Sequence, residues 1–541
     1  MKFIWKIVFF APLLATAGNL VSSHPEPGAK DVDPGSSFNL RFSDALDPRS
    51  LQHIELHRSD GKRVPVKAST DLTNASITIV PAAFLQPRMD YRLTGTQQVK
   101  TASGSLVEPF DLSFRTAAKG RFADSSFEAV TFDHTRSMTT VLFGPDRKLY
   151  AASAFGEIVC WDLDENGRPK NRKTLFQDPS KSRQYIDLEW DPEAGPEQLL
   201  LWVSYSERLT PKEDPRHYFT GEVARLRIVD GKIAERKIYV RGLPHGRERQ
   251  GGFDTLPHQP NGLCFRGGKL YQTVGSTSSS GGPGNWGIKE QPFSACIIEI
   301  DYQNISDPVD LYQNKSPRHL RRFATGVRNA LELLSHSNGH FYTAVNINDR
   351  SSRKDGVPDD PEIPGDQNEL IRNVTPNHES LYIIEEGRHY GFPNPSIGNY
   401  VLAGGNPTGE KDPFEITDYP FGTKPDPGFA PELMFPIWKW GGSSPNGMIE
   451  YQPDFPHPLS RAIFCCFFSA NSIAVMPLGI DGMPTEVVQL RSPKGKLQFS
   501  GPLDITQDPK TGSIYVADFG RQSLFGKDGS MVWLKPHRER K

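Results

Sequence analysis

The chain has 541 residues, more than one hydrophobic core usually supports, so at least two domains are expected. Its 62 lysines and arginines are balanced by 64 aspartates and glutamates. Both signs are spread along the chain, without the basic stripe that would track a phosphate backbone, so we expect no nucleic-acid partner. The 48 glycines, 46 prolines and 10% aromatic residues, without a long apolar stretch of helical period, favour an all-β fold.

The N-terminus carries the features of a secretory signal. Lys2 and Lys6 accompany an apolar run from Ile7 to Ala15, and a small-residue site lies at Ala15-Thr16-Ala17. The run is shorter than the roughly 20 apolar residues of a membrane anchor, and no later segment is apolar enough to span a bilayer. We predict a signal peptide over residues 1–23 and a mature chain that is secreted or periplasmic, without a membrane span.

Residues 24–116 predict a small β-sandwich, because short strands alternate with turn signals. The expected strands are Ser37–Phe42, Ile54–His57, Ser76–Val80, Tyr91–Thr94 and Phe110–Phe114. The phrases Arg41–Asp47, Pro81–Leu85, Tyr91–Gly95 and Phe114–Thr116 resemble the bacterial Ig-like domains that precede exported enzymes. The polar stretch from Ala117 to Ser126 is interpreted as a linker.

The five cysteines are too few and too scattered for a disulfide scaffold, although one bridge is possible. Cys465 and Cys466 are neighbours in one apolar strand, where successive side chains point to opposite faces. We interpret them as small buried side chains. No C-x-x-C-H motif is present, so a covalent haem of that type is not expected.

One phrase recurs after residue 130: an apolar strand, a turn rich in Pro, Asp or Gly, and a second strand that ends in small or polar residues. The copies are Val141–Ala151, Leu188–Tyr205, Gly262–Tyr271, Leu331–Thr343, Gly447–Phe467 and Leu503–Val516. Several copies are followed by further strands, which gives about four strands per unit. Six copies predict a six-bladed β-propeller over residues 127–541, with long loops at 349–378 and 399–431.

A propeller brings the inner ends of its blades to a central channel, so polar residues beside the repeated strands are expected to meet there. These candidates are His258, Arg328, Asn329, Asn346 to Asp349, and Ser444 to Asn446. Four motifs in this order also resemble the glucose/sorbosone dehydrogenases over roughly 400 residues. They are His258–Phe265, Gly326–Asn329, Glu379–Gly387 with His389–Pro393, and Ser444–Gly447.

The resemblance implies a sugar-oxidising enzyme that binds pyrroloquinoline quinone (PQQ) and calcium. In it, His258 would take a proton from a sugar hydroxyl, and Arg328 would stabilise oxyanion charge, roles that suit an imidazole and a guanidinium. Arg328, Asn329 and Ser444 would contact the cofactor. The oxygen ligands expected for calcium are Asn346, Asn348, Asp349, Asp366 and Glu369. The substrate would be a small sugar or polyol, and electrons would pass to an external acceptor.

The chain also departs from the family pattern. Ser276 stands where sugar-oxidising members place the Asp that orients the histidine. Ala470-Asn471 and Gly501–Leu503 stand where a Lys and two Arg clamp the quinone, and Glu379–Tyr382 replaces a calcium-site phrase. These departures favour an alternative, a non-catalytic propeller that binds carbohydrate or protein.

A further alternative is a calcium-dependent lactonase-like hydrolase, which would need a cluster of channel-facing carboxylates. The strand ends show few such residues. His258 could also be a polar loop residue and Arg328 a structural link between blades. The acidic loop from Asp355 to Asp366 could be a solvated excursion.

Overall fold

The structure is a computed structural model in two compact units, residues 1–120 and 121–541. It describes residues 18–537 except 33–35, 37, 72–74, 82–84, 87, 118–125, 136, 180–181, 209, 251–252, 279–287, 289, 347–378, 393, 395–396, 398–427, 439–441, 480, 493–494, 498 and 521–528. Almost all regular structure in the described ranges is β, as the composition predicts. The described part contains no helix that is long and apolar enough to cross a membrane.

The first unit is a β-sandwich. Its elements are β1 (Leu20–His24), β2 (Phe38–Phe42), the 3-10 helix η1 (Pro48–His53), β3 (Ile54–Arg58), β4 (Arg63–Val64), β5 (Val66–Asp71), β6 (Ser76–Pro81), β7 (Asp90–Gly95) and β8 (Phe110–Arg115). Two four-stranded sheets have the orders β1-β2-β6-β5 and β4-β3-β7-β8. Alternate side chains of β2 and β8 are buried in one core, because strand side chains point to opposite faces. The predicted Ig-like sandwich is confirmed.

Strand β1 begins inside the segment predicted as the signal peptide. It pairs with β2, with Leu20 opposite Phe42 and His24 opposite Asn39. A leader that ends at Ala17 would leave this strand in the mature domain, whereas removal of residues 1–23 would delete most of it. We therefore propose that cleavage follows the Ala15-Thr16-Ala17 site.

The strands of the second unit are between two and twelve residues long. Their bounds are β9 (Phe127–Asp133), β10 (Met138–Phe143), β11 (Lys148–Ser153), β12 (Glu157–Leu163), β13 (Pro169–Gln177), β14 (Arg183–Trp190), β15 (Leu199–Glu207), β16 (Gly221–Val229), β17 (Lys232–Leu243), β18 (Glu248–Gln250), β19 (Phe253–Thr255), β20 (Pro260–Arg266), β21 (Lys269–Val274), β22 (Cys296–Ile300), β23 (Val309–Asp310), β24 (Leu320–Thr325), β25 (Leu334–Ser335), β26 (Phe341–Val345), β27 (Glu379–Ile383), β28 (Met434–Trp438), β29 (Pro445–Glu450), β30 (Ile463–Phe467), β31 (Ser472–Met476), β32 (Val488–Gln489), β33 (Arg491–Ser492), β34 (Gly495–Lys496), β35 (Pro502–Asp508), β36 (Ser513–Asp518) and β37 (Ser530–Pro536). Two 3-10 helices, η2 (Tyr302–Asn304) and η3 (Pro431–Leu433), interrupt them.

Six sheets of this unit are the blades of a propeller. They are blade 1 (β10–β13), blade 2 (β14–β17 with β23), blade 3 (β20, β21, β22 and β24), blade 4 (β25–β28), blade 5 (β29–β32) and blade 6 (β35, β36, β37 and β9). The first strands of successive blades contact each other in turn, and β35 contacts β10, so the ring closes. Each predicted repeat supplies the first two strands of one blade.

The first strand of the second unit, β9, closes the ring. Strand β9 pairs antiparallel with β37 and completes blade 6, with Phe127 opposite Pro536 and Asp133 opposite Met531. The blade therefore combines strands from both ends of the unit, which links them without a covalent bond.

All five cysteines are buried and free. Cys465 belongs to the core between blades 4 and 5, and Cys466 to the core between blades 5 and 6. The interpretation of these two neighbours as small buried side chains on opposite faces of β30 is confirmed.

Candidate functional site

The described candidate residues lie at corresponding ends of neighbouring blades. His258 precedes β20, Arg328 and Asn329 precede β25, and Ser444 precedes β29. Asn346 follows β26 and lies beside them, because strand β26 runs antiparallel to β25. The ring therefore brings together residues that are up to 186 positions apart in the sequence.

His258 is held by a chain of two hydrogen bonds. Its Nδ1 lies 2.7 Å from Ser276 Oγ, and Ser276 Oγ donates to the carbonyl oxygen of Ser278 at 2.7 Å. A carbonyl oxygen only accepts, so the single hydroxyl proton of Ser276 points toward Ser278. Nδ1 of His258 must then carry a proton, which places the basic lone pair of the neutral imidazole on Nε2.

Arg328 stands next to this imidazole. The backbone N–H of Ser276 donates to Arg328 O at 2.7 Å, and both Arg328 and His258 are 7% exposed. Burial, followed by the nearby guanidinium charge of Arg328, holds the pKa of His258 well below its usual range. The histidine is therefore neutral at physiological pH. The guanidinium also lies 6.0 Å from the ring centroid of Phe392, within cation–π range.

Asn346 connects the remaining candidates. Its N–H donates to Asn329 O at 2.8 Å, and its carbonyl oxygen accepts from Arg328 Nη1 at 3.4 Å. Its side-chain amide donates to the carbonyl oxygen of Pro445, the residue after Ser444, at 2.8 Å. Arg328, Asn329 and Asn346 thus belong to one network, which reaches Ser444 through its peptide bond to Pro445.

Of the five expected calcium ligands, Asn346 lies within the described residues. Asn348, Asp349, Asp366 and Glu369 lie outside the described residues. Within the described part of the chain, no group of three or more His, Cys, Asp or Glu side chains is arranged to hold a metal ion.

The Ser444 turn is fixed by Glu379. This glutamate is 2% exposed, and its carboxylate accepts from the backbone N–H groups of Gly442 (3.2 Å), Ser443 (2.8 Å) and Ser444 (3.1 Å), and from the Ser443 hydroxyl. Ser444 has φ 53°, a left-handed conformation that is unfavourable for a serine. Glu379 therefore acts here as a support for strained backbone.

The positions of the expected quinone clamp carry no charged side chain. The 468–471 turn hydrogen-bonds to the Ser443–Ser444 backbone. Gly501 lies against Phe468, since a Cβ added there would be 2.8 Å from that ring. Neither Ala470-Asn471 nor Gly501–Leu503 supplies a cation.

Ser276, Thr277 and Ser278 are fully buried. The structure also corrects one expectation. Channel carboxylates are expected to be few, yet acids lie on or beside the first strands of blades 2, 4 and 6: Asp187, Glu189, Glu332 and Asp504. Burial and their mutual repulsion raise the pKa of Asp187, of Glu189 and of Glu332.

Two of these acids tie blades together. Asp187 of blade 2 accepts from Leu263 N of blade 3 at 2.7 Å and from Thr140 Oγ1 of blade 1 at 3.2 Å. Asp504 of blade 6 accepts from Val141 N of blade 1 at 2.7 Å. Sequence reasoning missed this role because the donors to each acid lie on other blades, far away in the sequence.

Replacement of Asp187 by Asn should flatten the pH dependence of folding stability. The raised pKa means that the folded chain holds this proton more tightly than the unfolded chain, so stability falls as pH rises above the usual aspartate value of about 3.9. Thermal unfolding of wild type and Asp187→Asn at a series of pH values tests this. Asp162→Asn, on the partly exposed side of blade 1, is the control. Parallel curves for Asp187→Asn and wild type would contradict the assignment.

These features define the class of protein: an Ig-like β-sandwich followed by a six-bladed β-propeller, with a buried His–Ser–Arg cluster at the ends of blades 3 and 4. Its propeller motifs resemble those of the glucose/sorbosone dehydrogenases.

Residues 15–116 match the family model of a bacterial Ig-like domain. Solved structures similar to the chain include soluble aldose sugar dehydrogenase from Escherichia coli, in the apo form (15% identity, 76% of this chain and 100% of that chain, TM-score 0.48). They also include PQQ-bound aldose sugar dehydrogenase from Streptomyces coelicolor (12%, 76% and 99%, 0.47). A third is the holo PQQ domain of pyranose dehydrogenase from Coprinopsis cinerea (12%, 76% and 95%, 0.49). No curated protein matches the chain.

Proposed function

We propose that this chain is an exported oxidoreductase that oxidises a sugar or a related alcohol, with His258 as the base and Arg328 as the oxyanion stabiliser. The observation that carries the proposal is the hydrogen-bond chain from His258 through Ser276 to Ser278, next to a buried guanidinium. It supplies a neutral base of defined tautomer beside a fixed positive charge.

His258 would accept the hydroxyl proton of the substrate at Nε2. The low pKa of the imidazole keeps this nitrogen unprotonated at neutral pH, although it also weakens the base. Ser276 carries no charge, so it fixes the orientation of the ring without stabilising the imidazolium as an aspartate would. Arg328 offsets part of this loss, since its charge stabilises the alkoxide that forms as the proton leaves.

The expected cofactor is PQQ, which, when bound, would accept the hydride from the alcohol carbon. The buried guanidinium of Arg328 suits a carboxylate or quinone oxygen, and Asn329 and Ser444 lie in the same network. Asn346, with the ligands expected on 347–369, would serve calcium. Electrons would then pass to an external acceptor.

Titration of the mature protein with PQQ and calcium tests this function. At a hundred times Kd, binding should stabilise the fold by about 2.7 kcal/mol. Tryptophan fluorescence reports this on the propeller, because residues 24–126 contain no tryptophan. A panel of sugars with a redox dye then measures turnover. Arg328→Met should abolish the stabilisation, whereas Arg227→Met, at a side chain 48% exposed on blade 2, should retain it.

The second candidate is a propeller that binds carbohydrate or protein without catalysis. The apolar surroundings of Ala470 and Gly501 favour it, since a tricarboxylic quinone needs cations that these positions lack. Absence of both stabilisation and turnover at high PQQ and calcium concentrations would overturn the oxidoreductase proposal and leave this one.

A further inference from the structure

Glu290 is a buried carboxylate close to His258 in the fold but not part of any motif. It is 1% exposed and lies between β21 and β22. Oε1 accepts from Ser278 N at 2.8 Å and from Ser278 Oγ at 2.5 Å. Oε2 accepts from Thr277 N at 3.2 Å, from Thr277 Oγ1 at 3.3 Å and from the Ser294 hydroxyl.

These donors stabilise the carboxylate in the place of a cation. Within the described residues, no Lys, Arg or His forms a salt bridge with Glu290. Burial raises its pKa to about 7, while the hydrogen bonds from Ser278, Ser294 and Thr277 favour the ionised form. A buried carboxylate with five donors is costly to leave unsatisfied, so the loop and the carboxylate hold each other in one geometry.

That geometry is transmitted to His258. Thr277 and Ser278 directly follow Ser276, and the Ser278 carbonyl oxygen accepts a hydrogen bond from the Ser276 hydroxyl. This leaves Ser276 Oγ to accept from Nδ1 of His258. Each link from Glu290 to the imidazole is therefore a hydrogen bond or a single peptide step.

The loop that carries Glu290 is itself anchored beside Arg328. Asn394 Nδ2 donates to Gln291 O at 2.7 Å and to Ser294 O at 3.2 Å. Phe392, two residues earlier, lies against the Arg328 guanidinium. Phe392 and Asn394 thus contact both Arg328 and the loop that carries Glu290.

We propose that Glu290 is the positioning residue of His258: its carboxylate holds loop 276–278 so that Ser276 Oγ accepts a hydrogen bond from the Nδ1–H group and the lone pair stays on Nε2. The proposal rests on the proposed role of His258 as the base. Ser276, which stands in place of the aspartate expected beside the histidine, carries no charge. The negative charge lies instead on Glu290, which acts on His258 through loop 276–278.

Glutamine at position 290 removes this support specifically. It has the same shape, but its NH2 group would face either the donors on Ser278 or those on Thr277 and Ser294, and a donor cannot accept from them. Loop 276–278 should shift, and the tautomer of His258 should no longer be fixed.

The test is NMR of full-length mature protein labelled with 15N-histidine, recorded at about pH 8.5, where both His258 and Glu290 are deprotonated. The histidine signals that are absent from the spectrum of His258→Gln are assigned to His258. We expect a single Nδ1-protonated tautomer in wild type and a mixture with the Nε2-protonated form in Glu290→Gln. Any sugar-oxidising turnover should fall by up to about 10²-fold.

Glu450→Gln is the matched control. Glu450 is a buried carboxylate on blade 5 that accepts from Ser337 N at 2.7 Å and from the Ser337 hydroxyl, and it also pairs with Arg461 at 3.7 Å. The same substitution therefore removes a buried, hydrogen-bonded carboxylate at another place. It should leave the His258 signals unchanged. If Glu290→Gln does not fold, Ser278→Ala, which removes one hydrogen bond to Glu290, should still shift them.

A folded Glu290→Gln, or a folded Ser278→Ala, whose His258 signals match wild type would overturn the positioning role. Because the readout is the imidazole itself, this result is independent of PQQ binding and turnover. Failure of the oxidoreductase proposal would instead appear as a fixed tautomer in wild type with no activity.

Discussion

His258→Gln should lower sugar-dependent dye reduction by about 10²–10⁴-fold in PQQ-loaded protein, the usual contribution of a general base. Glutamine can still donate to Ser276 Oγ through its amide and fill much of the buried space. It cannot take a proton from an alcohol, so the loss should appear mainly in kcat. Initial rates with a saturating sugar measure this.

The control for this change is His336→Gln. His336 is also a buried histidine, 4% exposed, with Nε2 lying 3.0 Å from Arg461 O. It lies in the turn after β25, whereas the candidate site lies at the start of that strand. Turnover should stay near wild type in this variant. Equal losses in both variants, or a folded His258→Gln with wild-type turnover, would remove His258 from the reaction.

The parts of the fold that depend on local pattern could be predicted from the sequence. The strand–turn–strand phrase marks the first two strands of each blade, because alternation and turn chemistry act over ten or so residues. The grouping of His258, Arg328 and Asn346 followed from the same repeat, since equivalent ends of inner strands meet around a ring. Family motifs added their proposed roles.

Contacts that neither a motif nor the repeat marks could not be predicted in this way. Glu290 sits after a Ser/Gly run without any motif, and its significance comes from donors on Thr277 and Ser278. Asp187 and Asp504 are 317 residues apart in the sequence, yet they accept hydrogen bonds from two adjacent residues of blade 1, Thr140 and Val141. Such pairs carry no local signal, because the two partners lie on strands that are far apart in the sequence.

The second large effect is expected at the closure of the ring. Phe127→Ala should lower the free energy of unfolding of the propeller by about 3–5 kcal/mol, the usual cost of deleting a buried phenyl ring. Phe127 is fully buried and packs edge-on against Tyr451 at 5.9 Å and Phe464 at 6.2 Å, both on blade 5. It joins the first strand of the propeller unit to a blade that lies more than 300 residues later.

Urea unfolding followed by tryptophan fluorescence measures this effect on the propeller. Glu128→Ala is the control, because Glu128 is the next residue of β9 and its side chain is exposed. Its midpoint should stay close to that of wild type. If Phe127→Ala also unfolded at the wild-type midpoint, β9 would contribute little to closure, and the other strands of blade 6 would have to hold the ring. A large loss confined to Phe127→Ala would show that a hydrophobic contact, together with the β9–β37 ladder, closes the propeller.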